Sequence, residues 1–155
     1  MAINTERWGT DIRLLRNLAI QYSYERGNDL ATRKGSSSGA VDLDIISGDE
    51  NLIQALLLRF LTPMGELAAL GHATYGSRLY ELIGELNSQR NRNLAKLYVL
   101  QSLAAEPRVK EVVSVVVTQS PQERTRVDIE ITVRPIDSDT TLNLVFPFFF
   151  EEVAP

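Results

Sequence analysis

The side chains able to do chemistry in this chain are few, and most stand alone. Glu66, Glu81 and Glu85 lie near a glycine-rich stretch and are the carboxylates on offer for glycoside hydrolysis. That reaction needs two carboxyl groups about 5–9.5 Å apart across one cleft, one of them with a raised pKa. Glu81 and Glu85 form an i, i+4 pair on a short predicted helix, a spacing usual for solvated carboxylates. His72 is the sole histidine and there is no cysteine, so no set of converging metal ligands is expected and no cofactor is implied. Ser36–Ser38 have no histidine nearby, and Gly35-Ser-Ser-Ser-Gly39 lacks the Gly-Lys-Ser/Thr ending of a phosphate loop. Arg90, Arg92 and Lys96 read as a solvated helix face in a chain of net charge −4, so no nucleic-acid partner is expected. The expectation is a protein that is not an enzyme.

The elements that would position these groups follow from periodicity. With 155 residues there is room for one ordinary domain. The reading divides it into an N-terminal segment, 1–40, with a Gly/Ser-rich loop at 26–39, and an α+β domain over 41–155. From Met1 to Asn17 there is no apolar run fit for a signal peptide. The apolar stretches at 52–61 and 112–117 are too short to cross a bilayer. Asp11–Tyr24 is read as a short extended segment, then irregular chain. Val41, Leu43 and Ile45 alternate with Asp42 and Asp44, the pattern of one half-exposed strand. Ser47-Gly48-Asp49-Glu50 fits a capping box, and Leu52 to Leu61 follow with helical spacing until Thr62-Pro63. A second short helix is predicted over 77–86. A third, capped by Asn87 or Ser88, would bury Leu94, Leu97, Tyr98 and Leu100 and stop at Pro107.

Past Pro107 the period changes to two. Val112–Val117 is apolar on both faces apart from Ser114, as in a strand covered on two sides. Val127, Ile129, Ile131 and Val133 alternate with polar residues, and Leu142, Leu144 and Phe146 continue the pattern. The predicted architecture is therefore α+β, central helices followed by a C-terminal three-stranded antiparallel β-meander. Phe146, Phe148, Phe149 and Phe150 crowd its last strand, interrupted by Pro147. Two readings stay open: these aromatics pack on the chain's own helices, or another chain covers the sheet by strand addition.

The order of these features resembles the baseplate wedge proteins of contractile phage tails and related injection systems, a family that carries a lysozyme-like label. The resemblance rests on Val41-Asp-Leu-Asp-Ile-Ile-Ser-Gly48, Glu50 to Glu66, Tyr75-Gly-Ser, the 79–86 segment and Glu106-Pro-Arg-Val109, spanning about 40–135. It implies a structural subunit that joins the wedge to the first sheath ring and templates sheath assembly by β-strand addition. Sheath subunits and wedge proteins are its implied partners, with inner tube or hub proteins as further candidates, in six copies per particle. It also implies assembly in the cytoplasm and residence in a baseplate. Carried onto this chain, Glu106, Pro107 and Arg108 would hold the wedge core, and Val127, Ile129, Leu142, Leu144 and Phe146 would belong to the accepting sheet. A lysozyme-like hydrolase acting on peptidoglycan is the alternative.

Overall fold

The alternating runs of the C-terminal half fold as their period dictates. In the computed structural model, which describes residues 8–15, 30–35 and 39–151, strands β5 (Val109–Gln119), β6 (Arg126–Pro135) and β7 (Leu142–Phe149) form an antiparallel sheet in the order β5-β6-β7. Before them come β1 (Thr10–Ile12), β2 (Thr32–Lys34), β3 (Val41–Leu43), β4 (Ile45–Ser47) and helices α1 (Asp49–Leu61) and α2 (Gln89–Ala104). Short 3-10 turns occupy Ala68–Leu70 and Leu79–Leu82. The chain divides into two units, Met1–Ala55 with Pro155, and Leu56–Ala154.

In the first unit, β1 pairs with β4 and β2 with β3, both antiparallel. The single strand expected over 41–45 is thus two, with different partners. The loop expected over 26–39 contains a strand at 32–34, while 26–29 and 36–38 lie outside the described residues, as do Leu18 and Ile20. Ser47 closes β4 opposite Thr10. The Glu50 carboxylate accepts from Arg13 at 3.1 Å, whose Nε also reaches Asp44 at 2.7 Å. A long-range cation, rather than the cap of α1, claims that acid. Gln54 does comparable work for the backbone, accepting from the N–H groups of Leu14 and Leu15 and donating to the Ile12 carbonyl.

In the second unit the inward faces of β6 and β7 make the core. Val127, Ile129, Ile131 and Val133 are fully buried or nearly so, opposite Phe148, Phe146, Leu144 and Leu142. Phe60 of α1 meets Phe146 at 5.5 Å between ring centroids, and α2 packs on β5. Ser88 caps α2 by accepting the Asn91 N–H. The buried face of α2 is Ala95, Tyr98, Val99, Ser102 and Leu103, one step round from the leucine-based face expected, and Leu97 is exposed. The helix expected over 77–86 reduces to the 3-10 turn, because Ile83 turns extended and Gly84 takes φ 92, a conformation glycine adopts without strain.

One expectation about the sheet needs correcting, and one of the two readings left open for its aromatic end fits the burial. The Val112–Val117 run is not covered on both faces: Val113 and Val116 are each 47% exposed, and irregular register near Val113 bends the strand. The aromatic end, in turn, is core. Phe146, Phe148, Phe149 and Phe150 are all buried within the chain, and Phe150 entirely so.

Candidate functional site

Three of the family-like segments, those that carry Arg59, Tyr75 and Glu106-Pro-Arg108, meet around one buried carboxylate. Glu106 follows α2 and is 4% exposed. Its N–H still bonds the Leu103 carbonyl, while its own carbonyl accepts from Val109 at the start of β5. The chain therefore turns a tight corner here, and Pro107, which offers no N–H, fits a position where no donor is needed. The Glu106 carboxylate accepts from Arg59 Nη2 at 3.0 Å, Arg108 Nε at 2.6 Å, Arg108 Nη2 at 3.1 Å and the Arg108 N–H at 3.2 Å. Arg59 also stacks over the Tyr75 ring, 4.5 Å from its centroid.

Burial by itself would push the Glu106 pKa up. The hydrogen bonds from Arg108, with the charges of Arg108 and Arg59, outweigh it and hold the carboxyl below the usual carboxylate range. Arg108 is correspondingly raised, first through its side-chain hydrogen bond to Glu106. Glu106 is thus held as an anion that faces two guanidinium groups. Arg59 Nε is buried with no hydrogen-bond partner, and Arg108 keeps 36% of its side chain exposed.

The Tyr75-Gly-Ser segment is seated by backbone. Ser77 N–H donates to the Thr62 carbonyl at 2.8 Å and Met64 N–H to the Ser77 carbonyl at 2.9 Å, so Pro63 and Ser77 bridge in parallel. Gly76 has φ 113, and a Cβ there would lie 2.5 Å from the Thr62 carbonyl oxygen; only glycine fits. Ser102 of α2 donates to Gly76 or to the Tyr98 carbonyl, 3.2 and 3.0 Å away. Arg59, Tyr75 and the Thr62 carbonyl received no role in the sequence reading. Arg59 had a signal, a cation set between Leu56 and Phe60 on the apolar face of a helix.

The remaining predicted site residues lie in the sheet. Val127 and Ile129 belong to its central strand, paired on both sides, and their side chains are fully buried. Leu142, Leu144 and Phe146 point into the same core. What the sheet presents outward is backbone. Ser120 N–H bonds the Arg126 carbonyl and Phe150 N–H the Thr125 carbonyl, which sets the alternation of both ladders. Along β5, Val115, Val117 and Gln119 turn their N–H and C=O groups away from β6. Along β7, Asn143, Val145, Pro147 and Phe149 do so, and Pro147 has no N–H to give. Among the described residues no strand lies beyond either edge.

Of the carboxylates weighed for hydrolysis, Glu81 is held in an ion pair. Glu81 is chelated by Arg78 at 2.8 and 2.9 Å and accepts from the Tyr98 hydroxyl at 3.2 Å. The Arg78 hydrogen bonds lower its pKa, the opposite of what a proton donor to a glycosidic oxygen needs. Glu66 and Glu85 are exposed. His72 is exposed in the loop, and no cluster of metal-ligating side chains occurs among the described residues. No helix there is long and apolar enough to cross a membrane.

No protein-family model matches the chain, and no curated protein matches it. Among solved structures it is similar to a candidate tail lysozyme from Geobacter sulfurreducens. The TM-score is 0.59 at 24% identity, over 70% of this chain and 96% of that one. The likeness is one of fold: this chain shares the α+β architecture of that protein.

Proposed function

We propose that this chain is a structural, non-enzymatic baseplate subunit of a contractile, phage-tail-like injection system. In this reading it joins the baseplate wedge to the first sheath ring, in six copies, and templates the sheath by strand addition. The observation that carries the reading is the outer edge of β5, with donors at Val115, Val117 and Gln119 turned outward and no strand beside them among the described residues. Such an edge hydrogen-bonds a foreign extended segment through its backbone. Edge β7, interrupted by Pro147, is the poorer acceptor. The tail context of the similar Geobacter protein fits the same reading. At the Glu106 corner, the half-exposed Arg108 offers a wedge protein a cation already oriented by a buried acid.

Purified chain added to sheath subunits from the same particle should shorten the lag of sheath polymerisation in proportion to its concentration. An unchanged lag would overturn the reading. The description of the similar protein as a candidate lysozyme favours a second reading, peptidoglycan hydrolysis. Turnover by folded protein that disappears in Glu66→Gln or Glu81→Gln would establish it; no turnover retires it.

A further inference from the structure

The first unit holds another open edge, independent of the one just described. Along residues 40–48, Asp44 N–H donates to the Ala31 carbonyl at 2.6 Å, while the Asp44 carbonyl accepts from Arg13 N–H at 2.9 Å. Gly35 N–H reaches the Ala40 carbonyl and Gly48 N–H the Gly9 carbonyl. In an antiparallel ladder the N–H and C=O of one residue point the same way, and its neighbours point the other way. The bonded residues 40, 44 and 48 are all even. β1 and β2 therefore pair end to end along the same side of the run through β3 and β4.

The odd residues Val41, Leu43, Ile45 and Ser47 turn their backbone groups to the opposite side, where no strand lies among the described residues. The Leu43 N–H there is taken by the Asp42 side chain at 2.8 Å, as an amide without a ladder partner would be. Side chains of the same residues form an apolar stripe that is left exposed, Val41 at 63%, Leu43 at 36% and Ile45 at 42%. Asp42 lies on the other face, exposed.

We propose that the outer edge of Val41–Ser47 is a second strand-docking site. It accepts an extended segment of another protein in which apolar residues alternate with lysine or arginine. The apolar positions cover the exposed stripe, and the basic ones face Asp42. A second copy of this chain fits poorly. Antiparallel registers that overlap the whole stripe set Asp42 against Asp44, or Asp44 against its twin, and like charges directly opposite are destabilising.

The test uses the full chain and a capped peptide of alternating lysine and valine, with a glutamate–valine peptide as control. Amide hydrogen exchange resolved by residue should find Val41 and Ile45 unprotected in the free protein. The basic peptide should slow both by about tenfold or more, with an effect that weakens as salt rises. Leu43→Lys should abolish that protection while leaving the far-ultraviolet circular dichroism spectrum unchanged. Protection already present in dilute free protein would mean that the chain seals its own edge. Protection that grows with protein concentration alone would mean a second copy. Either result, equal protection by the acidic peptide, or full protection of Leu43→Lys, overturns the proposal.

Discussion

Glu106 gains its importance from what a buried acid requires. Arg59 and Arg108 supply four hydrogen bonds between them, and each partner leaves a different vacancy when removed. Glu106→Gln strands the buried Arg59 cation, and denaturant unfolding should register a loss of about 3–5 kcal/mol. Arg108→Ala leaves the Arg59–Glu106 pair in place and should cost less, about 1.5–3 kcal/mol, the range for hydrogen bonds to a charged group. The pH dependence has a definite sign. A carboxyl held below its unfolded value of about 4.3 stabilises the native state above that pH, and this contribution is lost as pH falls through the lowered folded value. Acid titration of stability should therefore be shallower in Glu106→Gln than in the parent. The corner itself was legible in Glu106-Pro-Arg108. Its distant partner was not, because Arg59 lies 47 positions away and no local period connects them.

Secondary elements were legible where a hydrophobic period repeats and obscure where packing or remote charge decides. The alternation from Val127 to Val133 placed β6 and its buried face directly. The Thr32–Lys34 strand has no apolar alternation at all, so its glycine- and serine-rich surroundings read as a loop. On α2 the leucines suggested one face, yet the structure buries the next, since small Ala95 and Ser102 allow closer approach and Ser102 meets the Gly76 carbonyl. Backbone alternation along β5 gives a test at this scale. Val117→Pro deletes an outward N–H that the ladder does not use, so the domain should keep its circular dichroism spectrum while sheath initiation fails. Val116→Pro deletes a ladder bond to β6 and should unfold or strongly destabilise the sheet. The aromatic end gives another. With Phe148–Phe150 buried, removing residues 148–155 should abolish cooperative unfolding rather than impair assembly of a folded protein.

At the scale of the whole molecule, an acidic chain with few paired catalytic groups has its resources in backbone edges and a buried charge cluster. Net charge −4 predicts no strongly salt-dependent DNA retention in a filter-binding assay. The lowered pKa of both Glu81 and Glu106 leaves neither as a proton donor at neutral pH. An edge strand with outward donors at alternate residues is a hazard in a free protein and an instrument in an assembly. The direct measurement is a cryo-microscopy map of the tail-like particle that contains this chain. The account predicts a strand from a sheath subunit running beside β5, bonded to the backbone of Val115, Val117 and Gln119. A map in which that edge faces solvent, with the sheath held elsewhere, would contradict it.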